Sequence, residues 1–405
     1  MKLLEIAQAP TASEAFDKLQ EYHSLVERCS RCVFDVNTPS IKFDADGVCN
    51  YCGTCEQLEK QYPMGSEGTR ILEQLVDQIK RAGRGKPFDV VIGVSGGCDS
   101  SYMVAKAKEW GLRPLAAHFD NTWNSTIATQ NIHSVLSKLG VELFTYVVDN
   151  EEYNDICRAF IDAGVIEIET PTDIGLATTL YMAAEKYGVK YQFEGHSFRT
   201  EGVAPLGWCY MDGKYIESVV KAHGNYSQHR MRSFPNLWFG RFLKYMLLNR
   251  VKKIRPIYWM DYDKEKTKQW LTANYGWQWY GGHHLENRFT AFFHSYYAPR
   301  RFGVDTRVVG YSGLIRSHQM TRQQALMELT KPFHFDDEIV DIVKRRLRFS
   351  DAAFEAAMAG PTRTYRDFKT YKPLFERLRP FFYLMAKADL VPQSFYLKYT
   401  SKSCL

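Results

Sequence analysis

The stretch FDVVIGVSGGCDSSYMVAKAKEWG, from Phe88 to Gly111, decides the fold. It opens as a short apolar run and closes on helical spacing, with Ser95-Gly96-Gly97-Cys98-Asp99-Ser100 between the two. An apolar run bounded by such a turn reads as a buried strand. Small residues at the turn let backbone N–H groups approach an oxyanion, and the helix that follows adds favourable partial charge. Ser95 and Ser100 can donate hydroxyl hydrogen bonds to a phosphate. Asp99 would repel one directly, so its useful role is to hold Mg²⁺ beside it. The loop lacks G-x-x-x-x-G-K-[ST], which excludes a P-loop kinase or GTPase site.

Working outward, LRPLAAHF (112–119) reads as a second strand, STIATQNIHSVLSKLG (125–140) as a helix and VELFTYVVD (141–149) as a third strand. Helices at 151–163 and 173–187 precede a fourth strand, VKYQFEG (189–195). Strands separated by helices of this length predict an α/β fold with a doubly wound parallel sheet. Upstream, Thr11 and Glu14 have capping-box spacing for a helix over about 12–27, and Ile71, Leu72, Leu75 and Ile79 recur at helical spacing within 68–82. GRGKP (83–87) reads as a linker. Beyond about residue 200 the alternation fades into a mainly helical, aromatic-rich region, interrupted by the loop-like YGWQWYGGHHLENRF (275–289). The expected organisation is a helix over 1–28, a cysteine knuckle over 29–60, helix and linker over 61–87, the nucleotide domain over 88–215 and a helical substrate or partner region over 216–405.

The 405 residues are 45% hydrophobic and 24% charged, which excludes a mainly disordered chain. The N-terminal residues carry acids early and hold no sustained apolar run, and no stretch is long and apolar enough to span a bilayer. The cytoplasm is therefore the expected compartment, where clustered cysteines bind metal or do chemistry more often than they form disulfides. Five of the nine cysteines fall within CSRCVFDVNTPSIKFDADGVCNYCGTC (29–55). Cys29-x2-Cys32 and Cys49-x2-Cys52 each offer two thiolates to one side of a tetrahedron, the pattern of a Zn²⁺ site. Cys55 is an alternative ligand, and an iron–sulfur cluster or unligated buried thiols are alternative readings. Cys98 lies at a helix N-terminus, where a thiol pKa tends to fall. Cys157, Cys209 and Cys404 read as core or surface residues.

SGGxDS behind an apolar strand, with a second strand ending in His118-Phe119-Asp120, resembles the PP-loop ATP pyrophosphatases, whose fold is of the adenine nucleotide alpha-hydrolase type. That resemblance implies cleavage of ATP between the α and β phosphates. Ser95, Gly96, Gly97, Cys98, Asp99 and Ser100 would line the pyrophosphate and Mg²⁺ site, and His118, Phe119 and Asp120 would lie against adenosine. Together with the cysteine segment and the block from YGWQWYGGHHLENRF to TKP (275–332), the chain resembles the N-acetyl sugar amidotransferases of O-antigen and nonulosonate pathways. These convert an acetamido group to acetamidino with ATP and ammonia. The resemblance points to His283, His284, Glu286 and Arg288 as substrate residues, although His283 and Asn287 stand where the family pattern GGKHxES has lysine and serine.

Gly195-His196-Ser197-Phe198-Arg199-Thr200-Glu201-Gly202 follows the fourth strand and is similar to a loop of PP-loop RNA-thiolating enzymes. His196 is expected to contact phosphate, Arg199 to neutralise it and Glu201 to bind Mg²⁺. The alternative is a structural turn. The chain shows no glutaminase signature, so ammonia is expected from a separate glutaminase subunit, with a cyclase-like channel subunit as a further partner, or from free ammonium. A sugar substrate, free or carrier-linked, is the third partner. Rival readings are a PP-loop sulfur transferase and a non-enzymatic zinc-knuckle adaptor. Between Val219 and Met260 nine Lys and Arg residues face no acid, a +9 stretch against −3 for the remainder of a +6 chain. Solvated helix faces, an anionic carrier and an acidic partner all fit it. Nucleic acid fits least, because Trp238, Phe239, Phe242 and Tyr245 interrupt the charges.

Overall fold

A computed structural model describes residues 12–282, 284–332, 336, 338–388 and 390–401. His283 and Cys404, like Thr11 of the expected capping box, lie outside them. Five parallel strands form one sheet: β1 (Val90–Gly93), β2 (Pro114–Asp120), β3 (Glu142–Val147), β4 (Tyr191–Phe193) and β5 (Lys252–Ile254), in the order β3-β2-β1-β4-β5. The first four are the strands expected from the sequence. β5 was not: it sits inside the basic stretch that reads as helical, and its short KKI core has no apolar run to announce it. It is a strand because β4 offers it main-chain partners, Tyr191 opposite Lys252 and Phe193 opposite Ile254.

Alternation along β1 divides the core between two faces. Val90 and Ile92 pack with Val76, Ile79, Met103, Val104, Ile132 and Leu136, from helices Gly65–Ala82, Cys98–Glu109 and Thr126–Leu139. Val91 faces the other way, onto Leu180, Ala183 and Ala184 of helix Thr170–Lys186. Both faces being covered makes the sheet doubly wound. A third and larger core joins helix Asn150–Ala163 to the aromatic C-terminal helices, through Phe160, Tyr215, Phe289, Tyr297, Phe354 and Phe382. The cysteine knuckle does not stand apart. Cys29, Cys32, Val33, Phe34 and Cys52 pack with Val308, Ala325 and Leu329, from helices Arg307–Arg316 and Arg322–Leu329.

Part of the basic stretch is paired with acids from elsewhere in the chain. Lys253 and Arg255 sit 2.8 and 2.9 Å from Glu194, and Lys244 sits 2.6 Å from Glu185. Within the same stretch, residues 232–234 are held by a single buried carboxylate. Glu152, 4% exposed, accepts from the backbone N–H groups of Arg232, Ser233 and Phe234 and from the Ser233 hydroxyl, at 2.6–3.0 Å. Removing it would leave three backbone donors, that of Phe234 buried, without their acceptor at once. Glu152→Ala is therefore expected to lower the unfolding free energy by about 3–5 kcal/mol. Chemical denaturation measures it, and a loss under 1 kcal/mol would contradict this role.

Candidate active site

The order of strands reverses between β1 and β4, and in open α/β sheets ligands bind in the crevice beyond the carboxyl ends at that reversal. The Ser95–Gly97 loop leaves β1 there, and Gly195 and His196 leave β4. Gly96 has φ +83°, and a Cβ on it would lie 2.2 Å from the Ala128 carbonyl oxygen, so only glycine fits. Its own carbonyl accepts from Asn131 Nδ2 at 3.2 Å and Trp277 Nε1 at 3.0 Å, which holds the loop open. Gly195 lies against the Asp99 main chain, where a Cβ would meet its carbonyl carbon at 3.0 Å. Helix Cys98–Glu109 begins at Gly97 with no side-chain cap, the Gly97 N–H donating to Ser95 Oγ and the Cys98 N–H to the Tyr280 hydroxyl, and a helix N-terminus of this kind favours an anion. Ser100 Oγ donates to the Gly97 carbonyl at 3.2 Å and accepts from the Ser95 N–H at 3.4 Å.

Asp99 points into this crevice. Lys264 Nζ lies 2.9 Å from one carboxylate oxygen, and the Tyr262 hydroxyl donates to the other. Burial raises the Asp99 pKa most strongly of any single cause, but the Lys264 charge and hydrogen bonds from Glu201, Tyr262 and Lys264 together hold the carboxyl below its usual range. Glu201 lies 3.7 Å from the same ammonium and 3.6 Å from His196 Nε2. Burial, aided by the Asp99 charge, pushes Glu201 up to about 7. Two carboxyls around one cation are a donor set that suits a hard divalent ion, and Lys264 supplies a positive charge at that position. The His196 side chain is partly exposed, and desolvation by the surrounding protein with the nearby Arg255 charge lowers its pKa, with Nδ1 3.0 Å from the Tyr258 hydroxyl.

A C-terminal segment closes the crevice from the far side. The Ser125 N–H donates to the Glu286 carbonyl at 2.8 Å and the Arg288 N–H to the Trp123 carbonyl at 2.8 Å, so Glu286–Arg288 runs antiparallel to Trp123–Ser125. This lays Glu286 Oε1 3.4 Å from the Ser95 hydroxyl and 3.9 Å from His284 Nδ1. Against the cost of burial, each member of that pair keeps the other charged: His284 is raised and Glu286 lowered. Asn287 has a structural role, because its Oδ1 caps helix Arg288–Phe292 while Nδ2 bonds Asn121 and Asn124. Behind this wall Glu169 accepts from Thr290 and is raised by burial to about 8.

Ser95, Gly96, Gly97, Asp99, Ser100, His196, Glu201, His284 and Glu286 thus meet at one crevice. His118 stands at its β2 side, with Nδ1 2.9 Å from the Val94 carbonyl. Other expected residues are placed differently. The Arg199 guanidinium donates to the carbonyls of Tyr258 and Tyr62, away from the loop. Phe119 is core, packed on Tyr153 and Phe234, and Asp120 accepts from the Thr122 N–H at 2.8 Å. Arg288 is exposed. Cys98 is only 1% exposed, packed among Val135, Leu271 and Trp277. Burial raises its thiol to about 12, the reverse of the helix-terminus expectation, because desolvating a thiolate outweighs the helix dipole. Tyr262 and Lys264 were missed. One signal was available: Lys264 starts helix Lys264–Tyr275, where a cation opposes the macrodipole and needs an anion facing it.

The four knuckle sulfurs form a second centre. Sγ separations are 3.9 Å for Cys29–Cys52, 3.7 Å for Cys32–Cys49 and 3.7 Å for Cys49–Cys52, and all four lie within 4.8 Å of one another. A tetrahedral ion with Zn–S bonds of about 2.3 Å sets its sulfurs about 3.8 Å apart, so one such ion fits. Cys55, the alternative ligand, is outside this group and packs beside Phe198 and Tyr258. Of the remaining cysteines, Cys157 is buried in the aromatic core and Cys209 is half-buried. Cys32→Ser is expected to lower bound zinc, by elemental analysis, and the melting temperature with it. Unchanged zinc in the variant would refute the ligand set.

Among the described residues no helix is long and apolar enough to cross a membrane. No curated protein matches this chain. Among solved structures, NMN synthetase from Francisella tularensis is similar at 15% identity, over 58% of this chain and 97% of that one. Its TM-score is 0.28, too slight a likeness to bear on function. Residues 286–380 match the family model of the C-terminal domain of WbpG-like LPS biosynthesis proteins. The match begins at Glu286, so the segment that reaches the phosphate-type loop is the one resembling a domain of lipopolysaccharide biosynthesis.

Proposed function

We propose that this chain is an ATP-dependent amidotransferase acting on an N-acetyl group of a bacterial surface sugar. One observation carries the reading: Glu286, first residue of the lipopolysaccharide-type segment, lies 3.4 Å from Ser95 of the SGGxDS loop. A sugar held by that segment would sit beside a nucleotide held by the loop.

The chemistry follows from the acetamido group. Its oxygen is a poor leaving group but can attack the α-phosphate of ATP, forming a C–O–P linkage as pyrophosphate departs and the amide proton is lost. Ammonia then adds to the imidate carbon, AMP leaves with the oxygen, and the amidine remains. Ser95, the Gly96–Ser100 backbone and Lys264 would bind and orient the polyphosphate, and donors aimed at developing charge are usually the largest catalytic contribution. Mg²⁺, held by Asp99 and Glu201, would neutralise the departing pyrophosphate. Neutral His196 lines the crevice wall. On this reading the knuckle holds zinc and the enzyme works in the cytoplasm, with ammonia from a separate glutaminase through a cyclase-like channel subunit, or from free ammonium. Burial of Cys98 removes one of the two sulfur sources of the sulfur-transfer reading, leaving only a cluster held by the four knuckle cysteines.

Asp99→Ala is expected to abolish acetamido-sugar-dependent pyrophosphate release while circular dichroism stays unchanged. Retained release would sink the metal role. Ammonium should support turnover by the purified chain where glutamine alone does not, and full glutamine-dependent turnover would remove the need for a glutaminase. A third outcome follows from Glu201. Below about pH 7 it holds a proton that a divalent ion must displace, so Mg²⁺-dependent ATP affinity should rise from about pH 6 to 8. Titration calorimetry on Glu201→Gln should find that dependence gone.

A further inference from the structure

Arg316 is 5% exposed and ends helix Arg307–Arg316 against the cysteine centre. Its Nε donates to Cys52 Sγ at 3.3 Å and its Nη2 to Cys32 Sγ at 3.2 Å, one sulfur from each knuckle. Four thiolates around a divalent ion carry a net charge of 2−, and the guanidinium offsets half of it. The thiolates in turn raise the Arg316 pKa above its usual value despite burial. The next three residues run directly to the nucleotide crevice. Ser317 Oγ donates to the Arg199 carbonyl at 2.9 Å, two residues before Glu201. Gln319 Nε2 donates to the Tyr262 carbonyl at 2.9 Å, and the Tyr262 hydroxyl donates to Asp99. Arg322 closes the same strap on the knuckle, bonding the carbonyls of Cys29 and Cys32 at 3.0 and 3.1 Å.

We propose that Arg316 is a positioning residue that couples the four-cysteine metal centre to the nucleotide site through the strap Arg316–Gln319. A loaded centre fixes the guanidinium, the guanidinium fixes the strap, and the strap sets the main chain that carries Tyr262 and Glu201 to Asp99. The knuckle thereby acts on nucleotide binding across the fold without touching the nucleotide. This rests on the reading of the SGGxDS crevice as an ATP site.

Two substitutions cut the strap at opposite ends, and both are read by calorimetry with MgATP and by zinc retention against a chelator. Arg316→Gln is expected to weaken both zinc retention and MgATP affinity by about 10- to 100-fold, with Arg316→Lys recovering part of each. Gln319→Ala touches no sulfur, so it should keep zinc while losing MgATP affinity. Stripping zinc from the wild-type chain should weaken MgATP, and stripping it from Arg316→Gln should add little, since the link is already broken. Should stripped protein or Arg316→Gln fail to fold, Gln319→Ala still decides. Wild-type MgATP affinity in Gln319→Ala, or in folded zinc-stripped protein, overturns the coupling. No MgATP binding by the zinc-loaded wild type would instead overturn the nucleotide reading, and the proposal with it.

Discussion

The parallel pairing of β1 with β4 is the constraint on which the rest depends. Val91 opposite Gln192 and Ile92 opposite Phe193 bring the ends of two strands, about a hundred residues apart in sequence, side by side. That neighbourhood presses Gly195 onto the main chain of Asp99 and delivers His196 and Glu201 to the loop that follows β1. Chain connections diverge at this point, so the crevice is open to a ligand while both walls stay rigid. β5 then extends the sheet, and its Lys253 and Arg255 just beyond it pair with Glu194, the residue after β4.

Charge balance within the crevice explains why it tolerates so many acids. Asp99, Glu201 and Glu286 converge where phosphate is expected, and each is answered: Lys264 sits between the first two and His284 beside the third. Asp99 and Glu201 nevertheless differ in protonation, because desolvation and mutual repulsion disfavour two bare carboxylates around one ammonium. A divalent ion would allow both to ionise, which links cation binding to proton release at this site.

The segment resembling a lipopolysaccharide-biosynthesis domain contributes to both centres. Glu286 begins it at the loop, and Arg316 and Arg322 within it hold the cysteine knuckle. The knuckle, remote from that segment in sequence, is therefore packed against its helices rather than appended to the fold.

What the sequence determined by itself is local in origin. Apolar runs and helical spacing announce β1 to β4, the SGGxDS motif marks the loop, and two C-x2-C pairs mark the four thiols that the fold clusters, because each signal is written within a few consecutive residues. Tertiary structure alone decided the rest. β5 exists because β4 supplies main-chain partners that its own KKI cannot imply. Arg199 was drawn to carbonyls of Tyr258 and Tyr62, and Lys264 to Asp99, by partners 59, 137 and 165 positions away. Burial reversed the expected acidity of Cys98, since the dielectric around a thiol depends on what the whole chain packs against it. Spacing reveals which groups can act; only the fold brings them within reach of one another and sets the charge they carry.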